Sequence, residues 1–265
     1  MSMHEQELTR PPRGPRPRKR RITLRDQLFL EWLTQQYGAP IDVVAQWYGV
    51  KKSWAYEIVA ALAKADKVEL THATVGERDG IAGPMWVVPT RATAYGFLGT
   101  DPGQWTVRPS TAAHVRALGE LRLALTGRDT DPQRWVSERL LRSAAAPQGA
   151  AAMVGAPHPY CHDALFTDDS GKLWAVECEL TVKRGAGRMK STLLTSIRAA
   201  QQLQRSIEHA ALGVSGVIYF CRGAGVNRHV QAAVDELRAE DVETGKRLHV
   251  RDLDTIIAGR KKARS

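Results

Sequence analysis

The stretch YCHDALFTDDSGKLWAVECELTV, residues 160 to 182, decides how the second half of the chain is built. Tyr160 through Thr167 reads as a strand containing Asp163, Asp168-Asp169-Ser170-Gly171 as a hairpin turn, and Lys172 through Val182 as the returning strand. Side chains alternate across a strand, so Trp174, Val176, Cys178 and Leu180 share one face and Ala175, Glu177, Glu179 and Thr181 the other. If Asp163 lies opposite the two glutamates, three carboxylates converge. Like charges at close range raise one another's proton affinity unless a cation holds them. An oxygen-rich cluster of this kind suits Mg²⁺ or Mn²⁺, which can activate water at a phosphodiester. Lys183, just past the strand, and Lys190, on the first turns of the next helix, could neutralise the cluster or stabilise a charged phosphorus centre. The plainer alternative is a half-buried sheet whose alternating Glu and Thr face water. His158, Cys161, His162 and Cys178 are zinc-ligand types, but no paired CxxC element occurs and Cys178 belongs to the face opposite Glu177.

Working outward, a helix over Thr111–Leu125 and a strand over Arg134–Leu140 precede the hairpin. Ala144–Ala156 reads as a loop. After the hairpin come a helix over Met189–Ala210, a strand over Val214–Cys221, a helix over Asn227–Ala239, a strand over Leu248–Val250 and a short helix over Leu253–Ala258. Helices alternating with strands in this order predict a mixed sheet with helices packed on it, an α/β domain over 111–259.

Towards the N-terminus the period is helical. Leu24, Leu28, Phe29, Trp32 and Leu33 mark one helix that runs to about Tyr37, Ile41–Tyr48 a second, and Ser53–Ala65 a third, with Gly49-Val50 as the tight turn between the last two. Val68–His72 and Met85–Val88 then read as a hairpin, and Thr90 caps a short helix through Phe97. Three helices followed by a hairpin predict a winged helix-turn-helix over residues 22–100, joined by a linker at 101–110. Its DNA-reading residues would be Lys51, Lys52, Ser53, Trp54 and Tyr56 on the third helix, and Arg78 on the wing. Ser53 is equally suited to cap that helix, and the two aromatics to a core or a protein interface.

Net charge locates the remaining basic groups. The 265 residues carry a formal +10, yet residues 1–21 hold seven basic and two acidic side chains, and residues 260–265 hold four basic ones. The body between these arms is almost neutral. Arg16, Arg18, Lys19, Arg20 and Arg21 lie among prolines in the first arm, which reads as extended and suited to phosphates or a minor groove, or simply to solubility. No apolar run approaches bilayer length, the N-terminus lacks the apolar core of a signal peptide, and three scattered cysteines read as reduced thiols. These features point to a cytoplasmic, DNA-associated protein. No GxSxG elbow, phosphate-binding loop or dinucleotide fingerprint occurs.

The segment PTRATAYGFL (Pro89–Leu98), the helix TAAHVRALGELRLAL (Thr111–Leu125), the strand RWVSERLLR (Arg134–Arg142) and the acidic hairpin together resemble the replication-relaxation family of plasmids, phages and integrative elements. That resemblance implies a DNA-binding accessory or regulatory protein acting in replication, DNA relaxation or transfer. Its partners would be double-stranded DNA, relaxase or replication proteins and a second copy of itself, and DNA binding would need no cofactor. The second domain resembles the PD-(D/E)xK, restriction-endonuclease-like fold. Asp163 and Glu177 match its metal-binding acids, and Glu120 the acid supplied by the first helix in some members. Glu179 stands where that pattern has a lysine, and His162 where it has a proline. The alternatives are therefore a metal-dependent nuclease or nickase, using Asp163, Glu177 and Glu179 with Lys183 or Lys190, and a non-catalytic protein-interaction factor.

Overall fold

The computed structural model describes residues 21–74, 82–101, 103, 105–145, 160–185, 187–206 and 213–262. It is a mixed α/β protein with two sheets. The first helix, α1 (Leu24–Gln35), starts at a reciprocal cap. Thr23 Oγ1 accepts from the Asp26 N–H at 3.2 Å, and Asp26 Oδ2 accepts from the Thr23 N–H at 3.0 Å. The helix stops two residues short of the expected Tyr37, which takes a left-handed φ of 67°. A two-residue strand β1 (Ala39–Pro40) follows, too short to leave a period in the sequence. Next come α2 (Ile41–Tyr48) and α3 (Lys52–Lys64), with Gly49 supplying the left-handed turn at φ 66°. The hairpin β2 (Val68–Thr74) and β3 (Ala82–Pro89) completes an antiparallel sheet of order β1-β3-β2, and α4 (Arg91–Leu98) is capped by Thr90 as expected. Phe29, Trp32, Leu33, Ile41, Val44 and Trp47 fill the core between these helices and the sheet.

Beyond the linker, α5 (Pro109–Thr126) carries proline in its first turn, where the missing N–H costs no helical hydrogen bond. The expected strand over Arg134–Leu140 is only β4 (Trp135–Ser137). From Glu138 the chain turns into α6 (Glu138–Ala145), which claims the first two residues of the expected loop. An i,i+4 pair, Arg142 with Glu138, supports that helix. Then follow β5 (Ala164–Thr167), β6 (Leu173–Glu179), α7 (Arg188–Ser206), β7 (Val214–Cys221), α8 (Ala224–Glu240), the unexpected short α9 (Val242–Lys246), β8 (Leu248–Asp252) and α10 (Leu253–Lys262). The second sheet runs β4-β5-β6-β7-β8, antiparallel through β6 and parallel from β6 to β8.

Alternation in β6 sorts its side chains onto two cores. Val176 and Cys178 join Leu118, Leu121 and Leu253 beneath α5 and α10. Ala175 faces Leu193, Ile197, Val230 and Val234 of α7 and α8. The hairpin turn between β5 and β6 is organised by one side chain. Asp168 accepts from the Ser170 hydroxyl at 2.7 Å, the Trp174 indole at 2.9 Å and the Lys172 N–H at 3.0 Å.

One helix serves both halves. Leu123 of α5 belongs to the N-terminal core, whereas Ala117, Leu118 and Leu121 belong to the second. Gly119 faces the N-terminal core, where a Cβ would make ordinary contact with the Trp32 ring at 3.6 Å and with Val43 at 3.8 Å. The neighbouring Arg122 is fully buried, with its guanidinium 6.0 Å from the Trp32 ring and a hydrogen bond to the Asp129 carbonyl at 3.2 Å.

Candidate functional site

Two surfaces carry the chemistry expected from the sequence. On α3 only Ala55, Val59 and Leu62 are buried, so one narrow stripe holds the helix to its core. The opposite face is open: Lys51, Lys52, Ser53 and Glu57 are exposed, Trp54 is 63% exposed and Tyr56 37%. Two aromatics left in water at the start of a lysine-bearing helix are not explained by the core. The Lys52 ammonium lies 5.9 Å from the Tyr56 ring, holding the positive charge over an aromatic surface. Lys51, not Ser53, occupies the cap position, and it makes no side-chain capping bond. Arg21 is exposed just ahead of α1, whereas Arg16, Arg18, Lys19, Arg20 and Arg78 fall outside the described residues.

The second surface lies where β5 begins and β6 ends. Glu177 and Glu179 do share a face, but they do not look into water: their side chains are only 12% exposed each. Glu177 Oε1 accepts from the Tyr160 hydroxyl at 2.8 Å and lies 2.6 Å from His162 Nδ1. Burial pushes the Glu177 carboxyl above its ordinary range, and the His162 hydrogen bond pulls against that shift. Asp163 turns to other partners. Its Oδ2 accepts the Cys178 N–H at 2.7 Å, and its Oδ1 lies 3.0 Å from His114 Nε2 on α5. Burial opposes the charged form of His114, but the hydrogen bond and charge of Asp163 outweigh it and raise the imidazole pKa.

Each carboxylate is thus tied to its own basic group. Glu179 pairs with Lys183 at 3.0 Å, four residues on. Lys190 instead reaches across to α8, with Glu236 at 3.0 Å and Glu240 at 2.5 Å, and so does not join the acids of β6. Glu120 is held between Arg116 at 3.1 Å and Arg222 at 2.6 Å. Among the described residues no three His, Cys, Asp or Glu side chains are placed to hold a metal ion together. The zinc-ligand types are likewise scattered. Cys178 lies in the opposite core, Cys161 Sγ points to the Glu138 carbonyl at 3.9 Å, and His158 is outside the described residues. Both oxygens of Asp163 are engaged, by His114 and the Cys178 N–H, whereas Tyr160 and His162 both meet Glu177 at Oε1.

Sequence spacing did not reveal His114, Tyr160 or Arg222 as members of this surface. His114 is separated from Asp163 by 49 residues, and its position between Ala113 and Val115 near the start of α5 gives no local sign of that partner. Beside Tyr160 a cleft of about 480 Å³ opens against the first turns of α7, where Arg188, Ser191, Thr192 and Thr195 line it. Among the described residues no helix is long and apolar enough to cross a membrane. Comparison with protein-family models, curated proteins and solved structures found no match.

Proposed function

We propose that the chain is a DNA-binding accessory or regulatory protein of the replication-relaxation type, reading duplex DNA through α3. In this reading α1–α3 with the β2–β3 hairpin form a winged helix-turn-helix, and the N-terminal arm adds sequence-independent affinity. The exposed Lys51, Lys52, Trp54 and Tyr56 around the first turns of α3 carry the proposal, because a helix anchored by one narrow stripe leaves its other sides free for a major groove. Lysines would engage phosphates, and the aromatic pair would supply contact area. Fluorescence anisotropy with labelled plasmid or phage duplexes over a salt series tests it. Replacing Lys51 and Lys52 together by alanine should weaken binding and reduce the slope of log affinity against log salt by about 2. An unchanged slope overturns the assignment of α3.

A second reading rests on the three-stranded run β4-β5-β6 between α5 and α7, interrupted by α6, with Asp163 immediately ahead of β5 and Glu177 on β6. Apart from α6, that order resembles the helix, three strands, helix, strand core expected of a restriction-endonuclease-like domain. Arg188 and the hydroxyls of α7 would suit a phosphodiester in the adjoining cleft. Supercoiled DNA incubated with Mg²⁺ or Mn²⁺ tests this reading. Nicking that is lost in Asp163→Ala supports a nuclease, and no nicking by the parent protein with either ion leaves the domain as a binding or assembly unit.

A further inference from the structure

A different cavity, of about 260 Å³, lies where β2, β3, α4, the linker and α6 meet. Its wall includes Tyr37, Trp105, Thr106 and Arg139, with Arg91 and Glu69 also contributing. Arg139 is only 7% exposed, and no carboxylate pairs with it among the described residues. Its Nη1 donates to the Thr34 carbonyl at 2.8 Å and its guanidinium lies 4.8 Å from the Tyr37 ring, but its buried Nε has no acceptor. Buried charges are ordinarily paired, because desolvation is not repaid by a single neutral hydrogen bond. Arg91, the other cation of the wall, is already matched by Asp101.

The same wall is aromatic. Tyr37 and Trp105 stack with ring centres 5.7 Å apart and planes 27° apart. Burial lifts the Tyr37 hydroxyl to a pKa of about 12, so the ring stays neutral beside the arginine. Exposed Glu69 repels a second negative charge. The volume admits one ring with one acidic group more readily than a full nucleotide.

We infer that this cavity binds a small planar monoanion, an aromatic or heteroaromatic ring bearing one carboxylate, whose charge Arg139 neutralises and whose ring packs on Tyr37 and Trp105. The site does not depend on the DNA-binding reading. Because its walls come from both halves of the chain, such a ligand would fasten the hairpin of the first sheet to α6.

Isothermal titration calorimetry of the full chain with benzoate, benzamide and inorganic phosphate tests the site. Benzoate should bind in the millimolar range or tighter, about what nine heavy atoms can supply. Benzamide, which keeps the ring and loses the charge, should bind at least about tenfold more weakly, as should benzoate to Arg139→Gln. Arg139→Lys should retain part of the affinity. Thr106→Trp, a change on the exposed rim that leaves Arg139 and the core untouched, should block benzoate even if the Arg139 variants fold poorly. No benzoate binding, equal binding of benzamide or phosphate, or undiminished binding to Thr106→Trp overturns the inference.

Discussion

His114 and Asp163 illustrate how the chemistry of one residue depends on another 49 positions away. The imidazole pKa is raised because Asp163 stabilises the proton it would otherwise shed on burial. A base whose folded pKa exceeds its unfolded value stabilises the fold fully below the unfolded pKa, near 6.5, and loses that contribution as the pH climbs through the folded value. The His114 ring resonance, followed by NMR from pH 5 to 9, should therefore titrate above the ordinary imidazole midpoint. In Asp163→Asn that midpoint should fall. An unchanged midpoint would mean that the pair is not formed. Glu177 was legible as an acid on β6, because period-two alternation is a local property, whereas the strand expected over Tyr160–Thr167 starts only at Ala164 and leaves Asp163 just ahead of it. Their partners were not legible, since Tyr160, His162 and His114 reach them through tertiary packing. The expected convergence of three carboxylates gave way for the same reason: each acid found a nearer basic or hydroxyl partner than a shared ion.

Among the elements, the β5–β6 hairpin shows what sequence patterning specifies well. The turn residues, the two faces of β6 and the following helix all follow from local signals, and Asp168 explains why the turn closes where it does. Its hydrogen bonds from Ser170 and Trp174 hold the carboxyl down at a pKa of about 2. An acid with a depressed folded pKa contributes stability above the unfolded value, near 3.9, and loses it as the pH falls through the folded one. Asp168→Ala should lower the urea midpoint at pH 7, reflecting a loss of about 1 to 2 kcal/mol of unfolding free energy with several hydrogen bonds gone. The difference from the parent should shrink below pH 3. Equal midpoints at pH 7 would show that the turn closes without this side chain. Where the pattern misled, at Arg134–Leu140, the cause was a short stretch with only Trp135, Val136 and Leu140 apolar, which suits either period. Strand pairing with β5 claims Trp135 to Ser137, and a helical salt bridge claims the rest.

For the whole molecule the decisive feature is α5, which contributes to both cores, and Arg122, which lies buried on it. Burial presses the Arg122 pKa down to about 9, and its Nε and Nη1 lack partners. Replacing such a cation by an apolar side chain of similar length is often neutral or stabilising, by about 1 to 4 kcal/mol. Arg122→Met should accordingly melt at the same temperature as the parent or higher in calorimetry, and a marked loss would show that the cation is better satisfied than its contacts indicate. Composition predicts a linker over 101–110, and α5 starts within that stretch, at Pro109. That helix inserts Leu123 among the N-terminal residues and seats Gly119 on Trp32. In mechanical terms α5 is a splint: a load taken up at the exposed face of α3 reaches the five-stranded sheet along one continuous rod.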